Sequence, residues 1–142
     1  MKLPALVLLL YTTLMHPIEA NPASDIKVAL AELNWIHNSI NYVASPEIVK
    51  SPIDTLVSHE GDCADMSWLL LYQLEQHGIT GGEMIIIEMY QSLPPRHAIV
   101  KLWGLYFDPV TNRMFSDDFP LQHKKLVGYD FNNILFDWRQ SK

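Results

Sequence analysis

Cysteine is almost missing from this chain, whose 142 residues contain one, at position 63. A single cysteine cannot form a disulfide within the chain, which excludes a fold stapled by such bonds. The chain is long enough to rely on a hydrophobic core instead, because a domain of about 150 residues hides roughly two thirds of its unfolded surface. We therefore expect one domain with one core.

Basic residues and long apolar runs are also scarce. The chain has 10 Lys and Arg against 16 Asp and Glu, a net charge of −6, and its basic residues do not cluster. Nucleic acid is therefore not expected as a partner. The longest uncharged apolar run covers 13 residues, from Leu3 to Met15. A helix needs about 20 residues to cross a bilayer, so no stable membrane span is expected.

The first twenty residues have the pattern of an export signal. Lys2 supplies a positive charge, the apolar run follows, and Ala20 ends a plausible cleavage region. The sequence thus predicts a signal peptide at 1–20, a single domain at 21–142, and a secreted or periplasmic protein, with an uncleaved N-terminal anchor as the alternative. An unpaired thiol in an oxidising compartment is a liability, which marks Cys63 as a candidate reactive group.

The sequence around this cysteine predicts the start of a buried helix. Asp62 follows the turn residue Gly61 and is a good N-cap, while Asp65 is spaced to reach back to the cap, as in a capping box. Gly78 is suited to end the helix. The residues between leave almost no polar face, which favours a helix covered on most sides.

A cysteine at the first turn of a helix has a chemical consequence. The partial positive charge of the helix N-terminus favours the thiolate. Asp62 and Asp65 oppose this by repulsion unless they turn toward backbone donors. We therefore expect both to act as caps, and a second group to be needed to activate the sulfur. Without such a group, a cysteine in this position is more often inert packing.

The remaining helical signals precede this element. Ser24 is a candidate N-cap for an amphipathic helix that runs to about Val43, with Trp35 and Tyr42 as packing at the edge of the core. The segment 44–60 is proline-rich and polar, and predicts a connection with a short helical turn at 53–57.

Strands are predicted in the second half of the chain. Residues 83–90 form the strongest candidate, and 97–102 alternate between two faces. Trp103-Gly104 predicts a two-residue turn into a strand at 105–108. Beyond it we expect a loop at 111–120 and a further strand at 124–135.

The hairpin turn fixes a register. It pairs Leu102 with Leu105, Lys101 with Tyr106, Val100 with Phe107 and Ile99 with Asp108. His97 and Asp108 then lie on one face as diagonal neighbours, about 7 to 8 Å apart at the backbone. A thiol on a helix, an imidazole on a strand and a carboxylate on the adjoining strand are the parts of a nucleophile, base and orienter arrangement.

These stretches resemble the transglutaminase-like cysteine peptidase superfamily, in particular its bacterial transglutaminase-like cysteine proteinases. The matching segments are Gly61 to Asp65 with the helix after it, His97 to Val100, Tyr106 to Pro109, and the preceding Ser51 to Leu56. The resemblance implies an α+β fold with a papain-like core, in which a central helix carrying the cysteine packs on a small antiparallel sheet carrying His and Asp. It also implies Cys63 as nucleophile, His97 as general base and acid, and Asp108 as orienter.

The chain departs from the family pattern in two places. Relatives usually carry an aromatic residue shortly before Ser-Pro, where this chain has Ile48-Val49-Lys50. They often carry another soon after the catalytic His, where this chain has Ala98-Ile99. The substrate pocket and the second oxyanion donor therefore stay unassigned. The Cys63 backbone N–H is a natural first donor.

Several functions remain open at this point. The resemblance favours hydrolysis of an amide bond in a protein or peptide through a thioester, with acyl transfer to an amine as an alternative. A binding module with an idle triad is a second class. A metal site formed by Cys63 and His59 is a third, less favoured because no second close pair exists. No cofactor is assigned; Asp62 and Asp65 could bind calcium, as in some relatives, but capping is the preferred role.

Overall fold

A computed structural model describes the chain at residues 21–44, 49–88, 96–116 and 124–129. The expected signal peptide lies outside these residues. None of the helices in this part of the chain has the length and apolar character that a bilayer crossing requires. The elements, in chain order, are α1 (Pro22–Ser39), β1 (Asn41–Tyr42), α2 (Pro52–Ser58), β2 (Glu60–Gly61), α3 (Cys63–Gln76), β3 (Glu83–Glu88), β4 (Arg96–Leu102), β5 (Leu105–Asp108), β6 (Arg113–Phe115) and β7 (Lys124–Tyr129).

Helix α1 is shifted toward the N-terminus relative to the prediction. Its N-cap is Asn21, not Ser24, and the Asn21 side chain accepts a hydrogen bond from the Ser24 backbone N–H at 3.2 Å. Pro22 occupies the first turn, where its missing N–H costs nothing. The helix ends at Ser39 rather than near residue 43, because the next residues pair in parallel with β2.

Helix α3 follows the prediction at both ends. Asp62 is the N-cap, and it forms a capping box with Asp65. After the helix, Gly78 adopts the left-handed conformation with φ +74°. The middle of the helix is buried on most sides, as predicted, by the side chains of Met66, Trp68, Leu69, Leu70, Leu71 and Leu74.

The sheet has five strands in the order β6-β5-β4-β3-β7, and every neighbouring pair is antiparallel. Alternate residues of β4 belong to different clusters: Ala98, Val100 and Leu102 pack in the main core together with α3, whereas Ile99 belongs to a second cluster with Tyr106. One helix packed on an antiparallel sheet is the predicted α+β architecture.

The β4–β5 hairpin has the predicted register. Leu102 pairs with Leu105, Lys101 with Tyr106 and Val100 with Phe107. Both turn residues have positive φ, 52° at Trp103 and 74° at Gly104, which is the requirement of a type I′ turn. This turn matches the twist of the two strands and fixes the positions of all residues after it.

Two strand predictions need correction or restriction. The segment 111–120 was expected to be a loop, but Arg113–Phe115 forms β6, a short edge strand. Its residues contain no periodic apolar signal, and pairing with β5 specifies the strand. The last strand covers 124–129, and the rest of the predicted 124–135 strand lies outside the described residues, as does the end of the predicted 83–90 strand.

Candidate active site

Cys63 is the first residue of α3 and its side chain is nearly buried. The Asp62 carboxylate beside it points back to the helix: its Oδ1 accepts from the N–H groups of Ala64 and Asp65, each at 3.0 Å. A carboxylate engaged in this way stabilises the helix start. The repulsion between Asp62 and a thiolate is thereby limited, in line with the expectation that Asp62 turns toward backbone donors as a cap.

Asp65 secures the other side of the same turn and is fully buried. Its Oδ1 accepts from the Lys50 N–H at 2.7 Å, and its Oδ2 accepts from the Asp62 N–H at 3.0 Å. Burial, followed by the charge of Asp62, raises the pKa of Asp65 to about 6. A Cβ at Gly61 would lie 2.8 Å from the Asp65 Cβ, so only glycine fits there. The chain before α3 is therefore fixed against its first turn.

His97 and Asp108 meet across the hairpin, as the register predicts. The His97 Nε2 lies 2.9 Å from the Asp108 Oδ2, and both side chains are mostly buried. The Asp108 Oδ1 accepts from the Val110 N–H at 3.0 Å, and the Thr111 side chain also hydrogen bonds to this carboxylate. Asp108 is thus held by three groups, and it in turn holds the orientation of the imidazole ring.

This pairing shifts the titration of both groups. Burial lowers the pKa of His97, but hydrogen bonds to Asp108 and Cys63, together with their negative charges, raise it to about 10. Burial raises the pKa of Asp108, but the hydrogen bond to His97 and its charge outweigh burial and lower it. The pair is therefore an imidazolium and a carboxylate at neutral pH.

Cys63 is the third member of this group, through its hydrogen bond to His97. Because Nε2 faces Asp108, Nδ1 is the ring nitrogen left to face the sulfur. The structure thus brings Cys63, His97 and Asp108 together in one place. In such an arrangement the thiol proton of Cys63 can pass to the imidazole of His97, which the carboxylate of Asp108 keeps in one orientation.

Ser67 joins the helix to the strand that carries His97. Its hydroxyl donates to the Ala98 carbonyl at 3.1 Å, and it is fully buried. Ser67 lies about one helical turn after Cys63, so the bond fixes α3 against β4 close to the thiol. The sequence offered one signal for this role, a serine within an otherwise apolar helix segment.

Tyr42 lies near the thiol as well, although the sequence predicted edge-of-core packing for it. It belongs to β1 and pairs with Gly61 of β2. Its side chain is half exposed, at 49%. Burial, then the charges of Cys63 and Asp62, raise the pKa of the Tyr42 hydroxyl. No sequence pattern indicates this proximity, because β1 and β2 have two residues each.

The metal alternatives gain no support from the described side chains. No group of three or more His, Cys, Asp or Glu residues among them could hold a metal ion. His59 is exposed and forms the left-handed C-cap of α2, with φ 55°. The two oxygens of Asp65 each accept a backbone N–H group, which is the capping role preferred for this residue.

Comparisons with known proteins give matches in structure alone. No family model matches the chain, and no curated protein matches its sequence. Among solved structures, LapG of Legionella pneumophila superposes with a TM-score of 0.66 at 17% identity, over 81% of this chain and 76% of that one. Its calcium-bound form gives a TM-score of 0.64 at 18% identity, over 74% of this chain and 65% of that one.

A further match is a protein of Cytophaga hutchinsonii described as a candidate cysteine protease. It gives a TM-score of 0.52 at 23% identity. The superposition covers 70% of this chain and 35% of that larger protein. At these identities the likeness concerns the fold. The chain therefore has the α+β fold of LapG, with a helix that bears Cys63 packed on an antiparallel sheet.

Proposed function

We propose that this protein is a cysteine peptidase or amidase that cleaves an amide bond in a protein or peptide. In this proposal Cys63 is the nucleophile, His97 is the general base and acid, and Asp108 orients His97. The observation that carries the proposal is the 2.9 Å contact between His97 Nε2 and Asp108 Oδ2, in a ring that also hydrogen bonds to the only cysteine. The Cytophaga hutchinsonii neighbour, described as a candidate cysteine protease, supports the same reaction class.

The first step prepares the nucleophile. His97 takes the thiol proton of Cys63 on the ring nitrogen that faces the sulfur, and Asp108 stabilises the resulting imidazolium. A His97 pKa of about 10 keeps the ring protonated across neutral pH. The positive end of the α3 dipole favours the thiolate as well. The resting site is then an ion pair of thiolate and imidazolium.

The thiolate next attacks the carbonyl carbon of the substrate. A bond between sulfur and carbon forms, and the carbonyl π electrons move onto the oxygen. When this tetrahedral intermediate collapses, the bond between carbon and nitrogen breaks, and His97 gives its proton to the leaving amine. The product is a thioester on Cys63. Water, deprotonated by His97, attacks the thioester and releases the acid and the thiolate.

Alkylation by iodoacetamide tests the ion pair without knowledge of the substrate. We expect Cys63 to be alkylated rapidly at pH 6, and His97→Ala to slow this reaction by about a hundredfold, since one base contributes 10²- to 10⁴-fold in typical enzymes. Cys63→Ala measures the background. A thiol that reacts slowly at pH 6, with no dependence on His97, would overturn the enzyme and favour a binding module on the same fold.

The acyl acceptor decides between hydrolysis and amine transfer. A fluorescently labelled casein, incubated with the protein with and without a primary amine such as cadaverine, separates the two. We expect soluble peptides as the product and no incorporation of the amine. Stable incorporation of cadaverine with little cleavage would assign the protein to the transferases instead.

Calcium is the remaining point raised by the structural neighbours, because LapG has been solved calcium-bound and also EGTA-treated. In this chain the carboxylates at the start of α3 accept backbone N–H groups. We therefore expect the alkylation rate of Cys63 to be the same in calcium and in EGTA. The proposal also includes a secreted or periplasmic location, which detection of a chain cleaved after Ala20 would test.

A further inference from the structure

We propose that the Tyr42 hydroxyl is the second oxyanion donor of this site, acting beside the Cys63 backbone N–H. This proposal rests on the acyl-transfer function proposed above and adds a group that touches the reacting substrate. The tyrosine lies on β1, outside the helix and hairpin that carry the other three side chains.

Backbone pairing sets the position of Tyr42. Residue 42 pairs with Gly61 in a parallel ladder, and the Val43 N–H donates to the Gly61 carbonyl at 3.0 Å. A second bond, from the Asn41 N–H to the His59 carbonyl at 2.8 Å, holds the other end of β1. Paired strands lie about 4.8 Å apart. Tyr42 is therefore one strand spacing away from the residue that precedes Asp62 and Cys63.

The same pairing sets the direction of the ring. Paired residues of parallel strands project their side chains to the same side of the ladder. A Cβ on Gly61 would point at the first turn of α3, where it would meet the Asp65 Cβ at 2.8 Å. The Tyr42 ring thus leaves the ladder on the side of that turn. Since Gly61 has no side chain, nothing at this position stands between the two.

Charge and exposure at Tyr42 suit an oxyanion donor. The negative charges of Cys63 and Asp62 act on the hydroxyl, and with burial they raise its pKa. A raised pKa keeps the hydroxyl protonated, and hence a donor, throughout the pH range in which the thiolate attacks. The ring is also half exposed, so a substrate carbonyl is able to reach it.

The helix start supplies the first donor. The Asp62 carboxylate accepts from the N–H groups of Ala64 and Asp65, which leaves the Cys63 N–H outside this cap. During attack the carbonyl π electrons move onto the oxygen, and the charge is then shared by two donors, the Cys63 N–H and the Tyr42 O–H. On collapse the electron pair returns to the carbonyl and both hydrogen bonds weaken. Donors that strengthen in the transition state accelerate the chemical step.

Two probes separate this role from the activation of the thiol. Acylation by p-nitrophenyl acetate passes through a tetrahedral oxyanion, and releases one p-nitrophenolate per acylated Cys63. Alkylation by iodoacetamide occurs at a saturated carbon and develops no oxyanion. We expect Tyr42→Phe to slow acylation by roughly a hundredfold, the size of effect seen when one oxyanion donor is removed. We expect its alkylation rate to stay within about twofold of the wild-type rate.

The matched control is Tyr72→Phe, which makes the same chemical change at another position. Tyr72 lies nine residues after Cys63 on α3, about 13 Å along the helix. It should leave both rates unchanged, and Cys63→Ala gives the background for each probe. Unchanged acylation in Tyr42→Phe would overturn the oxyanion role, and so would an equal loss of both rates, which would mean that Tyr42 acts on the thiol. If the wild-type protein shows neither reaction above background, the proposed function itself fails.

Discussion

The two halves of the candidate site are built in different ways. The start of α3 is held mainly by bonds within its own first turn, since Asp62 caps residues two and three positions ahead and Asp65 reaches back three. One longer-range bond, from the Lys50 N–H to Asp65, adds to them. The His97–Asp108 contact joins residues 11 positions apart and depends on the register of a hairpin. The cysteine half therefore needs correct local chemistry, while the histidine half needs correct strand pairing. Variants in each half should fail in distinguishable ways.

The largest effect is expected in the hairpin half, from Asp108→Asn. Asparagine keeps the shape of the side chain but not its charge, and the charge and hydrogen bond of Asp108 raise the pKa of His97. Acylation by p-nitrophenyl acetate should fall by on the order of 10³- to 10⁴-fold, as when the carboxylate of a Ser-His-Asp triad is replaced. The titration midpoint of the His97 imidazole, followed by NMR, should also move from near pH 10 to lower pH.

The measurement is an NMR titration of the His97 imidazole from pH 5 to 11 for both proteins. Asp54→Asn, at an exposed aspartate of α2, is the control for a lost negative charge. A His97 midpoint that stays near pH 10 in Asp108→Asn would show that this carboxylate does not set the charge state of His97.

In the helix half, the expected effect is on the free energy of unfolding, through the titration of Asp65. The pKa of Asp65 is about 6 in the folded protein against 3.8 in the unfolded chain. Between these values the folded protein retains a proton that the unfolded chain has released, so the free energy of unfolding falls as pH rises from about 4 to about 6. The ionised, buried carboxylate lowers stability by as much as about 3 kcal/mol at pH 7, relative to its protonated form.

Asp65→Asn removes this titration. The measurement is the free energy of unfolding in urea, for the wild type and for Asp65→Asn, at pH 4 and at pH 7. From pH 4 to pH 7 the wild-type value should fall relative to the Asp65→Asn value, by up to about 3 kcal/mol. Asp54→Asn should show no comparable trend. A constant difference between wild type and Asp65→Asn would contradict the raised pKa.

The contrast between the halves also explains what the sequence could predict. The cap at Asp62, the capping box with Asp65 and the left-handed Gly78 are local, and each was readable from residue type and spacing. The hairpin was readable because Trp103-Gly104 fixes its register. The start of α1 was misplaced by three residues, since Asn21 and Ser24 are both good caps and the choice depends on packing.

Non-local pairing accounts for what the sequence missed. The strand Arg113–Phe115 and the ladder that places Tyr42 beside Gly61 are short, and they carry no periodic signal. Their positions depend on partners elsewhere in the chain. The bond between Ser67 and Ala98 is similar: the serine stands out in an apolar helix segment, but its partner lies 31 positions away and is set by packing. The parts of the candidate site that join its two halves are therefore the parts that only the structure supplies.

Ser67 connects the two halves, and its effect should be the smallest. Ser67→Ala removes the hydroxyl that donates to the Ala98 carbonyl inside the core. The loss of one buried hydrogen bond should lower the free energy of unfolding by about 1 kcal/mol. Because Ala98 adjoins His97, acylation should also slow, by a few-fold. The NMR titration midpoint of His97 should stay near pH 10, since the contact with Asp108 is retained. Ser24→Ala, at an exposed serine in the first turn of α1, is the control. A shift of the His97 midpoint in Ser67→Ala would mean that the helix position, and not Asp108 alone, sets the charge state of the imidazole.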